Sequence, residues 1–255
     1  MPLSVVLITL NAGSQLEACL ASVKSIASEI VLVDSGSDDR TLTIAAQYGA
    51  KVIQQDWLGF GPQKQFAVEQ ATHDWVLCLD ADERVSDDLR QSLVSLLSEQ
   101  PAQSAYQFPR CNRFMGRYLR FGEGYPDWSL RLFDRRSARW SEDGVHEKVF
   151  ASGEVGILHG DLLHDSAESL ATYLSKQNRY TSLAAEEALA RGKKASVARL
   201  VLSPLVRFVK FYFIRQGFRD GLPGLAHIVI GCFNSFCKYA KMRENLRPRN
   251  TPQIP

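Results

Sequence analysis

The chain has 255 residues, 45% of them hydrophobic, enough for one large core or for one domain with a helical extension. Its net charge of +2 divides unevenly: residues 1–164 hold 15 Lys/Arg against 22 Asp/Glu, a balance of −7, and residues 165–255 hold 15 against 6, a balance of +9. The opening MPLSVVLITL lacks the basic start and small-residue cleavage site of a secretory leader, and the five cysteines form no CxxC pair and no metal-ligand spacing, so they read as free thiols of a reducing compartment.

In chain order, Leu3–Thr9 is an apolar run that predicts a buried strand, followed by a loop at Asn11–Ser14. Leu16, Leu20, Val23 and Ala27 recur at helical spacing. Ile30–Val33 is a second strand ending in Asp34-Ser35-Gly36-Ser37-Asp38, and Arg40–Tyr48 is a helix stopped by Gly49. Lys51–Gln54 is a third strand, Gly59–Pro62 a turn and Gln63–Ala71 a helix. Trp75–Leu79 is a fourth strand, ending in Asp80-Ala81-Asp82, and Ser86 caps a helix that turns Leu89, Leu93, Leu96 and Leu97 inward. Strands and helices in alternation predict a mostly parallel α/β sheet covered on both faces, with ligands at the carboxyl ends of its strands. Three polar clusters fall at those ends: Asn11, Asp34–Asp38 and Asp80–Asp82. Shorter strands and loops rich in Arg, Trp and Asp follow from Tyr106 to about Glu154, and from Ser166 onward the pattern is helical.

The acidic strand end is the strongest chemical signal. Asp80 and Asp82, one residue apart after an apolar strand, point into one crevice as hard oxygen ligands suited to Mg²⁺ or Mn²⁺. Asp80, Asp82 and Glu83 would repel one another without a cation. Asp34, too early to cap the next helix, is suited to accept hydrogen bonds from a base or ribose. Glu147, Asp143 and Asp127 are the carboxylates available as a proton acceptor in the second half of the acidic part. His164 is a candidate third metal ligand, and Arg131, Arg135 and Arg136 are candidates to steady phosphate.

SVVLITLNAGSQLEACLASV, EIVLVDSGSDDRT, GPQKQFAVEQA and DWVLCLDADERV, in this order, resemble the inverting glycosyltransferase family 2. DWSLRLFDRR and EDGVHEKV resemble its bacterial branch that includes lipopolysaccharide inner-core β-1,4-glucosyltransferases. The resemblance runs from about Ser4 to Arg247 and implies a GT-A, Rossmann-like domain over 1–164 with a C-terminal helical extension over 165–255. It implies a UDP-sugar donor, a hexose (glucose first) and Mn²⁺ or Mg²⁺. The implied acceptor is a lipid-linked saccharide, heptose of the lipopolysaccharide inner core or another cell-envelope glycan. Nucleic acid is not an expected partner. By this resemblance Asn11, Asp34, Lys64, Asp80 and Ala81 line the nucleotide-sugar site, Asp80 touching ribose or a metal-bound water. Asp82 ligates the metal, Glu147 is favoured as the base, and Trp128, Arg131 and His146 lie on the acceptor or phosphate side.

Two rivals remain from other classes. A haloacid-dehalogenase-type phosphatase would use Asp80 as nucleophile with Gly160-Asp161 and Asp165 downstream, but it leaves Asn11 and Asp34 without a role. A protein that only binds nucleotide would not need carboxylates in its acceptor half. The tail from Leu200 to Arg215 is apolar, aromatic and basic together. Its longest uncharged stretch, Leu200–Val206, is too short to span a bilayer, and Gly221–Cys237 is interrupted by Pro223, Gly224, His227 and Asn234. These segments predict interfacial helices, placing the chain in the cytoplasm, peripheral at the inner face of the cytoplasmic membrane.

Overall fold

The computed structural model describes residues 1–143, 147–166, 169–194 and 196–245. Strand β1 (Leu3–Thr9) is buried along almost its whole length, as a strand covered on both faces must be. Helix α1 (Leu16–Val23), β2 (Glu29–Asp34), α2 (Thr41–Gln47), β3 (Lys51–Gln54), α3 (Phe60–Glu69) and β4 (Trp75–Asp80) continue the alternation. β1 pairs in parallel with both β2 and β4, and β2 with β3. The chain winds outward from β1 to β3 and then crosses back to β4, so the winding reverses between β1 and β4.

Among the described residues eight further strands follow β4; six extend the sheet, and the ninth and tenth of the chain form a separate antiparallel pair. The eight are β5 (Glu83–Val85), β6 (Ala105–Phe114), β7 (Arg117–Tyr118), β8 (Asp127–Asp134), β9 (Ala138–Trp140), β10 (Val149–Ala151), β11 (Val155–Ile157) and β12 (Leu162–His164), with α4 (Asp87–Ser98) after β5. The order is β3-β2-β1-β4-β8-β6-β12-β5. β8 runs antiparallel to β4 and β6, so the parallel half passes into a mixed half. β12 lies parallel to β6 and antiparallel to β5, which brings His164 beside Glu83 and Asn112.

Side chains alternate between two cores. Leu3, Val5, Leu7, Leu32 and Leu77 meet α1, α2 and α4 on one face, while Val6, Val31, Val33, Val76 and Phe133 meet α3 on the other. Ser86 caps α4 as its sequence predicts, its hydroxyl accepting from Leu89 N–H at 3.3 Å. The expected turn at Gly59–Pro62 is instead the start of α3. Proline is compatible with a first helical turn, where its missing N–H has no partner to lose. Gly61 is required there, because a methyl group on it would collide with the Ser141 carbonyl.

The chain forms two compact units, one of residues 1–112 and 126–165, the other of residues 113–125 and 166–255. In the second, α5 (Leu170–Ala190), α6 (Val197–Phe208) with its π-helical continuation Val209–Ile214, and α7 (Gly221–Asn245) pack together. Segment 113–125 groups with these helices: buried Asp220 accepts from the N–H groups of Arg120 and Phe121 at 3.0 and 2.8 Å, and Arg207 pairs with Glu123.

Phe133 is fully buried against α3. Phe133→Ala is expected to lower the stability of the first unit by about 3–5 kcal/mol, read as a shift of its urea midpoint at unchanged slope.

Candidate active site

The site grows from the loops at the carboxyl ends of β1, β2 and β4. Asn11 adopts φ 51°, a left-handed conformation that asparagine tolerates. Its side-chain oxygen accepts from Asp38 N–H at 3.0 Å, and its own N–H donates to Ser37 Oγ at 2.8 Å, tying the first two loops together. Asp34 corrects an expectation. It is fully buried, and its oxygens receive Thr9 Oγ1 at 2.8 Å, Ser37 Oγ at 2.6 Å, Ser37 N–H at 2.8 Å and Gly36 N–H at 3.0 Å. Burial alone would raise its pKa, but the Ser37, Thr9 and Gly36 donors outweigh that and hold it below the usual value. With four donors on two oxygens, Asp34 shapes the loop and is closed to a base or ribose.

The acidic strand end is held by cations of the chain itself. Lys64 Nζ lies 2.9 Å from Asp80 Oδ1 and 2.8 Å from Glu147 Oε1. Arg131 Nη2 lies 2.7 Å from Asp80 Oδ2 and 2.9 Å from Glu83 Oε1. Arg110 continues the series, 3.7 Å from Glu83 and 2.8 Å from Asp127. Asp127, Arg110, Glu83, Arg131, Asp80, Lys64 and Glu147 thus alternate in sign. Burial would raise the Asp80 pKa, yet the charges of Arg131 and Lys64 keep its carboxyl well below the usual range. Glu83 is fully buried; burial pushes its pKa up, with the Asp80 charge adding and Arg131 opposing. Repulsion between Asp80 and Glu83 is therefore relieved by Arg131, with Lys64 also on Asp80.

Arg131 is the second correction. It was expected to face phosphate, but it is buried with Nη2 held between Asp80 and Glu83. Beside it lies Trp140, to which the sequence assigns no role. The Trp140 ring carries Lys64 at 4.9 Å and Arg131 at 5.5 Å from its centroid, and its N–H donates to Cys78 Sγ at 3.4 Å. Burial pushes the Cys78 thiol up to about 12, so it stays neutral.

Asp82 is the carboxylate of the strand end that these cations leave to the cleft. Its Oδ2 lies 3.1 Å from His164 Nε2, while His164 Nδ1 lies 2.7 Å from Asn112 Oδ1. Asn112 and Asp82 thus sit at the two ring nitrogens and orient the His164 ring with Nε2 toward Asp82. Among the described residues no group of three His, Cys, Asp or Glu converges as a metal cage. One carboxylate and one imidazole suit a divalent ion whose shell is completed by water and substrate phosphates.

A cleft of about 570 Å³ opens here, lined by Asn11, Gln15, Lys64, Asp80–Asp82, Glu147 and His164, with Trp57 and Phe60 also on its lining. It lies where the sheet winding reverses, as ligand sites in open α/β sheets do. Ala81 lies on its lining; Asp143, Asp127 and Trp128 do not. Asp127 is tied to Arg110, and the Asp143 carbonyl accepts from Gly61 N–H at 3.2 Å. His146 lies outside the described residues. Arg136 is held by Asp134 and Asp74, away from the cleft.

This sheet order, with an acidic strand end in a cleft at the reversal point, defines a sugar-transferring enzyme of the GT-A class. Residues 4–152 match the family described as Glycosyl transferase family 2. The chain belongs to that family and is a glycosyltransferase, which removes the phosphatase and binding-only alternatives. It is 31% identical over 267 residues to the lipopolysaccharide core biosynthesis glycosyltransferase LpsC of Rhizobium meliloti, covering 100% of this chain and 96% of LpsC. It is 32% identical over 260 residues to an uncharacterized glycosyltransferase of Rickettsia typhi, covering 97% of this chain and 89% of the relative. Staphylococcus aureus TarS 1–349, solved with UDP-GlcNAc, shares the fold with TM-score 0.50 at 17% identity, over 94% of this chain and 81% of that one.

Arg131→Met strands the buried Glu83 carboxylate and leaves half-buried Asp80 with Lys64 alone, and is expected to cost about 3–5 kcal/mol. Adding Glu83→Gln should recover part of it in a double-mutant cycle followed by denaturant unfolding. In the single variant the Glu83 pKa rises further, so the folded state binds more protons than the unfolded. Its deficit should therefore shrink as pH falls from about 7 to about 5.

Proposed function

We propose that the chain is a metal-dependent inverting hexosyltransferase using a UDP-sugar donor, with glucose the first choice of sugar. The proposed acceptor is a lipid-linked saccharide at the cytoplasmic face of the membrane, heptose of the lipopolysaccharide inner core. The likeness to LpsC along the whole chain supports the acceptor class. The observation that carries the reading is one cleft lined by Asp82 and His164, by the Lys64–Glu147 pair and by the Asn11 loop.

Asp82 and His164 are the residues that would hold Mn²⁺ or Mg²⁺, which when bound neutralises charge on the departing diphosphate. Asn11 and the loop that Asp34 shapes receive the nucleoside. Glu147 keeps Oε1 on Lys64 and has Oε2 to take the proton of the acceptor hydroxyl. As that proton moves, the hydroxyl oxygen bonds to the anomeric carbon from the side opposite the diphosphate. The carbon–oxygen bond to UDP breaks, UDP leaves with the electron pair, and the configuration inverts. Lys64 places the base and Asp80 in fixed relation.

Asp82→Ala should abolish the Mn²⁺-dependent part of UDP binding in calorimetry and leave binding in EDTA as in the parent; an unchanged Mn²⁺ increment would refute the ligand assignment. Glu147→Gln should lower kcat by about 10²–10⁴-fold at near-normal UDP affinity. If Asp143→Asn or Asp127→Asn does so and Glu147→Gln does not, the base lies there.

A further inference from the structure

Helix α6 inverts the usual arrangement of a surface helix. No residue of it is buried, and its exposed half is apolar. Val197, Val201, Leu205 and Val209 recur every fourth residue with Leu202 and Val206 beside them, each 50–64% exposed. At 3.6 residues per turn these six fall on one half of the helical circumference. The other half carries Ser203, bonded to Ser235 on α7, and Arg207, paired with Glu123. The ridge continues past the helix into Phe213 and Ile214, which are also exposed. A helix in water turns its polar side outward; this one presents valine and leucine.

The charges that the ridge segment itself carries are of one sign. Residues 188–219 hold eight Lys/Arg and no Asp/Glu. Lys193, Lys194, Arg199 and Lys210 are exposed. Arg207 is not part of this rim, since Glu123 neutralises it. No helix of the described residues is long and apolar enough to cross a membrane.

We propose that the α6 ridge, with its π-helical continuation, docks on an anionic lipid surface, the apolar residues entering the headgroup–acyl boundary and the lysines pairing with lipid phosphate. A two-fold contact with a second copy would set the same basic rim against itself. The inference deepens the lipid-linked acceptor reading, but its test uses neither donor nor acceptor, so either can fail without the other.

The test is flotation with phosphatidylcholine vesicles, with and without phosphatidylglycerol, at low and high salt. The unaltered chain should float with phosphatidylglycerol vesicles at low salt, weakly with phosphatidylcholine alone, and be released by high salt. Leu205→Glu/Val206→Glu and, separately, Lys193→Glu/Lys194→Glu/Lys210→Glu should each weaken binding roughly tenfold or more. The thermal midpoint and far-ultraviolet circular dichroism of both variants should match the parent, which shows them folded. Failure of the unaltered chain to float at low salt overturns the proposal, as does a Leu205→Glu/Val206→Glu variant that floats like the parent. A parent dimer that this variant converts to monomer, with flotation unchanged, assigns the ridge to a second copy instead.

Discussion

Asp80 sits between two cations, and the rest of the catalytic unit is arranged around that contact. A carboxylate taken from water into a sheet end is costly unless charge and hydrogen bonds replace its hydration. Here Arg131 comes from β8, Lys64 from α3, and each reaches onward to a second carboxylate. The alternating series ties β4, β6, β8, α3 and the segment at Glu147 into one electrostatic unit. Its members fix one another, so the groups that face the cleft are held on a rigid base.

The topology explains why those groups meet. Parallel strands ending between β1 and β4 leave a crevice where the connections diverge. The antiparallel entry of β8 then brings Arg131 against Asp80, and β12 returns along β5 to set His164 beside Asp82. Trp140 serves both cations at once with an aromatic face, and its N–H is satisfied by Cys78. Asp82, His164, Glu147 and the Asn11 loop line the cleft together with Lys64 and Asp80.

The helical unit follows a different logic. Its interior is small and specific, with Ala185, Ala188 and Met242 at its centre, while its large apolar side chains face outward on α6 and α7. Valine and leucine left in water forgo the burial that stabilises most helices, which is explicable where another apolar phase covers them.

Much of the catalytic unit was legible from residues alone. Apolar strands ending in Asp34 and Asp80, the Ser86 cap and the leucine spacing of α4 are local patterns, and local patterns fix strands, helices and the end of the sheet where ligands bind. The family motifs were likewise contiguous in sequence. Partnership was not legible. Asp34 reads as a ligand-binding carboxylate because it lies too early to cap the next helix, yet folding brings Thr9 from β1 and closes Gly36 and Ser37 back over it. Arg131 was read as a phosphate contact because nothing in DWSLRLFDRR says which way it turns; β8 pairing turns it inward onto Asp80 and Glu83. Trp140 heads the Trp140–Glu147 stretch, but nothing local gives it a role. Sequence determines which side chains carry charge and where strands end, since those depend on neighbours along the chain. Which charges face each other, and which are left for a ligand, depends on strand pairing across tens of residues, and only the tertiary structure decided it.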